Sequence, residues 1–125
     1  MRPQDFYTRT KANRGVRVEL VDPNGHREWI SVRSVLSAEF VAVAAAIASQ
    51  AERYQKLLAS ADPAERKRIR RLRRATLASA LVADSSLPMK TPTQITALLM
   101  ANPMLRRQIE RLSENHALHF GVTND

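Results

Sequence analysis

The sequence predicts a mainly α-helical protein in which an N-terminal β-hairpin is followed by a bundle of about four helices. Apolar and charged residues alternate from Val16 to Leu20, as they do in a strand with one buried face. From Ser37 onward, apolar residues instead recur every three or four positions, which is the period of an amphipathic helix. Aromatic residues make up only 5% of the chain, so we expect an aliphatic, alanine-rich core.

The hairpin is predicted over residues 16–33. Its second strand is the extended segment Arg27 to Val32, around Trp29. The two strands are separated by Asp22-Pro23-Asn24-Gly25, in which proline presets the first turn position and glycine supplies a positive φ at the last. Because an isolated two-stranded ribbon is marginally stable in water, this hairpin is expected to pack on the helices or to pair with another chain.

The helical part is predicted over residues 37–121, and each of its helices begins with a recognisable signal. Ser37 is a capping residue, while Asp62, Thr91 and Asn102 are each followed directly by proline, which suits the first helical position. Gly121 is a natural stop for the last helix. The four helices are predicted to span about 37–60, 62–83, 91–101 and 102–121.

Length and composition favour one domain over residues 16–125, preceded by a flexible basic arm over residues 1–15. The chain has no cysteine, which excludes disulfides and thiolate chemistry and favours a reducing compartment. The longest fully apolar segment, Phe40 to Ala48, is less than half of the roughly 20 residues that cross a bilayer. These features predict a cytoplasmic protein that makes no use of a membrane.

A strongly basic segment runs from Arg66 to Arg74 on the second predicted helix, and the whole chain carries a net charge of +8. Such a charge suits an acidic protein surface, nucleic acid or anionic lipid. A helix points these cations around its axis, so that one phosphate backbone could reach about half of them, and no aromatic residues are interleaved for base stacking. We therefore rank a solvated or acid-paired face first, protein recognition second and nucleic-acid binding third.

The segment Phe40 to Ala48 is apolar around the whole helix, which requires cover on every side. In so small a domain, part of that cover is expected to come from another subunit or from a client protein, although an ordinary core is the leading interpretation. The hairpin is a second candidate contact. The partner-binding residues predicted from these features are Trp29, Phe40, Val43, Ile47, Tyr54, Arg66, Arg70 and Arg73.

The sequence gives only weak indications of catalytic or metal-binding residues. His116 and His119 lie three positions apart, but no further ligand on the same face completes a metal site. Ser85 and Ser86 lie in a predicted loop without a histidine or acid at a telling spacing, and there is no glycine-rich phosphate loop. We predict no enzymatic activity, no metal and no cofactor.

Two stretches resemble the tail assembly chaperones of long-tailed bacteriophages and prophages. The first is an extended segment with an Asp-Pro-x-Gly turn, a tryptophan and an Arg-Ser pair leading into a helix, represented here by Leu20 to Gly25, Trp29 to Ser34 and Ser37 to Phe40. The second is a leucine-rich helix, an Asn-Pro-x-Leu-Arg-x-Gln-Ile turn and a terminal phenylalanine, represented by Ile95 to Ile109 and by His119-Phe120. The family often carries a tryptophan after its central helix, where this sequence has Val82 to Pro88.

The resemblance implies a protein that is made during virion assembly in the cytoplasm of a bacterial host. Such chaperones coat the long tape measure protein and help to recruit tail tube subunits around it. Self-association through the apolar Phe40 to Ile47 helix and the hairpin is expected from the residues themselves, as is the absence of a cofactor. The alternative is a small basic helical protein that binds nucleic acid through the Arg66 to Arg74 segment and the N-terminal arm.

Overall fold

The computed structural model describes residues 12–21, 24–88 and 90–120. The elements, in chain order, are β1 (Val16–Val21), β2 (Arg27–Val32), α1 (Ala38–Ala48), α2 (Ala51–Ser60), α3 (Pro63–Ser79), β3 (Val82–Ser85), α4 (Pro92–Ala101), α5 (Pro103–Glu114) and α6 (His116–Phe120). The protein is mainly α-helical with a small antiparallel sheet, which confirms the predicted fold class.

The β-hairpin is formed by β1 and β2, which pair antiparallel with Val16 opposite Val32 and Val21 opposite Arg27. Val16, Val18 and Leu20 are half-buried, whereas Arg17 and Glu19 between them are exposed, as the alternation predicted. Gly25 has a φ of +81°. Asp22 and Pro23 of the predicted turn lie outside the described residues.

The sheet contains a third strand that the sequence analysis did not predict. β3 pairs antiparallel with β2, giving the order β1-β2-β3, with an irregularity between Ser31 and Val32. The prediction that the second helix reaches Ala83 is therefore wrong, because α3 ends at Ser79. A four-residue strand with one β-branched residue gives almost no periodic signal, so only its pairing with β2 identifies it.

The first predicted helix is two helices. Ser37 caps α1 as expected, and its hydroxyl oxygen accepts a hydrogen bond from the Phe40 amide. The helix then ends at Ala48, and α2 begins at Ala51. The Ser49 hydroxyl donates to the Ala46 carbonyl at 2.6 Å, and the Gln50 amide bonds three residues back, to Ile47, at 3.0 Å. Hydroxyl bonding to the preceding turn favours a bend in a helix, and here it coincides with the break between α1 and α2.

The remaining helix starts lie where they were predicted. The Asp62 carboxylate accepts from the Glu65 amide at 2.8 Å, and Thr91 forms a capping box with Gln94. Asn102 does not cap α5 with its side chain. Instead the side-chain Nδ2 of Asn102 donates to the Leu98 carbonyl at 2.9 Å and caps the end of α4. The last predicted helix is also divided, because α5 ends at Glu114 and α6 follows, and Gly121 lies outside the described residues.

The core lies between the sheet and helices α3, α4 and α5. Its buried members are Ile30, Val32, Ala75, Ala78, Leu81, Val82, Leu99 and Ile109. Ala12 is fully buried, and its carbonyl accepts from the Ser34 amide at 3.2 Å. Residues 12–15 therefore belong to the folded domain, not to the predicted basic arm of residues 1–15, of which residues 1–11 lie outside the described part of the chain.

Candidate interaction surfaces

Helix α1 is the most apolar of the helices α1 to α5, and yet none of its residues is buried. Val41 is 54% exposed, and Ala42, Ala45, Ala46 and Ala48 are exposed as well. Phe40 is half-buried and packs against the core cluster, so it anchors the first turn to the body of the protein. Beyond that turn, the described part of the chain leaves most of α1 uncovered, which is typical of a surface that meets another polypeptide.

A polar corner fixes the start of α1. Nη1 of Arg33 donates to the carbonyls of Ala80 and Val82, both at 3.1 Å, and its Nε lies 3.6 Å from a carboxylate oxygen of Glu39 in α1. Arg33 therefore joins the end of β2, the loop before β3 and the first turn of α1. The direction in which the apolar helix leaves the body is thus set by specific contacts.

The same corner contains two buried serines. Ser34 and Ser37 are both fully buried, and the Ser34 hydroxyl accepts from the Leu36 amide at 3.1 Å. The Ser37 amide donates to the Ser34 carbonyl at 3.0 Å. Buried hydroxyl groups are tolerated only when they are hydrogen-bonded, and here their bonds turn the chain from β2 into α1.

An apolar groove of about 820 Å³ runs beside α1, between α3, β3 and α4; we call it the α1–α4 groove. Its apolar lining includes Val43, Leu72, Ile95 and Met100. At the rim, Lys90 forms an ion pair with Asp84 at 3.3 Å. The hydrogen bond from the Ser85 backbone amide is the main cause that holds the pKa of Asp84 below its usual value, and the bond from Lys90 is the second. This carboxyl therefore remains charged near neutral pH.

The predicted partner-binding residues do not form one surface. Val43 lines the α1–α4 groove and Ile47 is half-buried on the same helix. Trp29 lies on β2, where the guanidinium of Arg17 sits 3.8 Å from the centre of the indole ring. Tyr54 is covered by Arg73 at 4.0 Å. Trp29 and Tyr54 are thus already occupied by cation–π contacts within the chain.

The basic segment of α3 is divided into two sets of side chains. Three cations have partners within the chain: Arg66 donates to the Ala61 carbonyl at 2.9 Å, Arg68 pairs with Glu65 at 2.7 Å, and Arg73 covers Tyr54. The other four line a second groove, of about 510 Å³, together with residues from the start of α5. This basic groove is lined by Pro63, Lys67, Arg70, Arg71, Arg74, Pro103, Arg106 and Arg107.

Of the arginines predicted as partner-binding, only Arg70 therefore lies in the basic groove, while Arg66 and Arg73 do not line it. Sequence reasoning missed Lys67, Arg71, Arg74, Arg106 and Arg107 there. The first three could have been found from the sequence, because positions 67, 70, 71 and 74 share one face of a helix. The two arginines of α5 could not, since they come from a helix about thirty residues further along the chain.

The two C-terminal histidines differ in their surroundings. His116 is exposed, whereas His119 is buried and its Nε2 lies 2.9 Å from the Leu112 carbonyl. Burial is the main cause that lowers the pKa of His119, which keeps its ring neutral. Within the described ranges, no three histidine or acidic side chains are grouped as a metal ion would need, and no helix is long and apolar enough to cross a membrane.

No protein-family model matches this sequence, and the comparisons with curated proteins and with solved structures likewise find no match.

Proposed function

We propose that the protein is a tail assembly chaperone of a long-tailed bacteriophage or prophage, acting by binding and without catalysis. In this proposal it holds the tape measure protein in the cytoplasm of the bacterial host and helps to recruit tail tube subunits. The observation that carries the proposal is the uncovered apolar helix α1, in which no residue is buried. The sequence resemblance supplies the identity of the client.

The geometry of α1 suits a chaperone for a physical reason. A client-holding surface must be apolar enough to shield apolar segments of the client, and it must release them later without a chemical step. Fully burying one valine or isoleucine side chain contributes roughly 1.5–3 kcal/mol. Because Val43 and Ile47 are already half-buried, each contributes less than that in a complex, so that a contact with α1 stays reversible.

The residues that carry the resemblance also have a structural role consistent with the proposal. Arg33, Ser34 and Ser37 belong to the resembling stretch, and they form the polar corner that directs α1 away from the body. In the second stretch, Leu99 and Ile109 are buried and stabilise the core. The residues of the first stretch thus orient the start of α1, and those of the second stabilise the core against which Phe40 of α1 packs.

The proposal is tested by placing charges on α1. We expect the double variant Val43→Asp/Ile47→Asp to lose co-purification with the tape measure protein from the same tail gene cluster, while its circular dichroism spectrum stays that of the native protein. The matched control is Met104→Asp/Leu118→Asp, which places the same charges on two apolar side chains that are 82% and 40% exposed outside α1. Retention of the client by the α1 variant, or equal loss in both variants, would contradict the proposal.

The neighbouring genes offer an independent check. If the protein is a tail assembly chaperone, a long reading frame for a tape measure protein is expected directly downstream. A slippery heptamer near the end of this coding sequence would permit a longer frameshifted product, which a fraction of the resembling family makes. A chromosomal position remote from any tail gene would count against the proposal.

A further inference from the structure

The basic groove gathers six cations from two helices that are separate in sequence. Lys67, Arg70, Arg71 and Arg74 form one wall along α3, and Arg106 and Arg107 form the other wall at the start of α5. It has none of its lining residues in common with the α1–α4 groove. Whatever binds here therefore makes a contact distinct from the one proposed for α1.

The cations of this groove are largely without acidic partners. Within the described part of the chain, Arg106 pairs with Glu110, and no ion pair is formed by Lys67, Arg70, Arg71, Arg74 or Arg107. Like charges this close repel one another, and the repulsion is relieved when an anion enters. Helix α5 also begins at the groove, at Pro103, without a side-chain cap, so its amino-terminal dipole adds to the positive potential, whereas the start of α3 is capped by the Asp62 carboxylate.

The spacing of the cations indicates how the negative charges of a matching ligand are arranged. Positions 67, 70, 71 and 74 follow one face of α3 over about two turns, which matches a helix that carries acidic residues at the same intervals. Five of the six cations are arginines, whose planar guanidinium groups bind carboxylates with two parallel hydrogen bonds. Single-stranded nucleic acid is bound by stacking on aromatic rings as well as by charge, and none of the described residues that line this groove is aromatic.

We propose that the basic groove binds an acidic helical segment of a partner protein, with glutamate or aspartate at intervals of three and four residues. The inference does not depend on the chaperone assignment. If that assignment holds, the acidic segment belongs to the client or to the tail tube subunit. If it fails, the groove still takes an acidic helix.

The direct test uses fluorescence anisotropy with a labelled alanine-based helical peptide that carries glutamate at positions i, i+3, i+4 and i+7. The same peptide with glutamine at these positions and a labelled oligothymidine serve as comparison probes. We expect the glutamate peptide to bind at least about tenfold more tightly than either, with an affinity that decreases as salt is added.

A charge-matched pair of variants then locates the site. The groove variant is Arg70→Gln/Arg71→Gln/Arg74→Gln, and the control is Arg27→Gln/Arg53→Gln/Lys56→Gln, which removes the same charge from residues exposed elsewhere. The groove variant should lose binding of the glutamate peptide by about tenfold, and the control by less than about twofold. If the groove variant fails to fold, Lys67→Gln/Arg107→Gln, which takes one cation from each wall, carries the same expectation of reduced binding.

Two results would overturn the proposal. Equal loss in the groove variant and the control would show attraction by net charge alone. Tighter binding of oligothymidine than of the glutamate peptide, lost only in the groove variant, would make the groove a nucleic-acid site. Neither result concerns α1, because Val43 and Ile47 lie outside this groove and their test uses a different partner.

Discussion

At the residue scale, two glycines with almost the same backbone conformation have different surroundings. Gly15 has φ +79° and Gly25 has φ +81°, a region in which side chains are disfavoured. A Cβ atom on Gly15 would lie 2.9 Å from the Val32 carbonyl oxygen, whereas one on Gly25 would have no neighbour within 4 Å among the described residues. Gly15 is therefore required both by its conformation and by its contact with β2, and Gly25 by its conformation alone.

We expect Gly25→Ala to lower the free energy of unfolding by about 1–2 kcal/mol, the cost of a left-handed residue. Gly15→Ala should lower it by at least about 1 kcal/mol more, because Val32 belongs to the core and its backbone cannot shift freely. Urea unfolding of both variants beside the native protein measures the difference. Equal losses at the two sites would mean that β2 yields to the new methyl group.

The residue scale is also where prediction of the interaction surface from sequence was least complete. Residue type correctly marked α3 as basic, but it could not show that Arg66 bonds a backbone carbonyl or that Arg73 covers Tyr54. These partners depend on how α2 and α3 lie together. Tertiary contacts therefore decide which cations of a charged helix remain available, and the amino-acid sequence shows only which side chains are charged.

At the element scale, the short helix α6 is attached to α5 through a buried histidine. His119 is 6% exposed, its Nε2–H donates to the Leu112 carbonyl, and its Nδ1 is buried without a hydrogen-bond partner among the described residues. A proton on Nδ1 would place a charge in a site where no described residue offers it an acceptor. Burial accordingly lowers the pKa of His119 below its ordinary value of 6.5, with the neighbouring His116 as a smaller cause, although the bond to Leu112 opposes the shift.

This lowered pKa predicts that stability depends on pH. At pH values between the pKa of His119 in the folded protein and about 6.5, the unfolded chain binds more protons at this histidine than the folded protein does. The free energy of unfolding therefore increases with pH in that window. The contribution is fully present above 6.5 and is lost as the pH falls through the folded pKa. Urea unfolding between pH 7.5 and pH 5 should show the loss, and His119→Gln should remove that part of it. An unchanged pH dependence in the variant would assign the effect to other groups.

The elements themselves were predictable where local chemistry defines them. Asp62-Pro63 and Thr91-Pro92 place the starts of α3 and α4 correctly, because a capping side chain acts within its own turn. The sequence did not reveal β3 or the break at Ser49. The strand β3 depends on its pairing with β2, a segment distant in sequence. The break at Ser49 coincides with a hydroxyl bond to the preceding turn, but Thr76 makes a similar bond inside the unbroken α3, so a hydroxyl residue alone does not identify a break.

At the scale of the whole molecule, burial is distributed very unevenly along the chain. The sheet, α3, α4 and α5 share one core, whereas α1 has no buried residue and α2 buries only Leu58. Hydropathy alone would give the opposite ranking, since α1 is the most apolar of the helices α1 to α5. Sequence patterns showed that α1 needs cover, but only the fold shows that most of this cover is absent from the described part of the chain.

This distribution predicts a pattern of hydrogen exchange. Local opening is least costly where few side chains are buried, so the amides of α1 and α2 should exchange by local opening at low protein concentration. Those around Leu99 and Ile109, which are each 1% exposed, should exchange only on global unfolding. If α1 also binds a second copy of the protein, its protection should increase with concentration, while that of α4 and α5 should not. Amides of α1 that are as slow as the core amides in dilute solution would show that the helix is stable without a partner, and would remove the structural reason for assigning it to client binding.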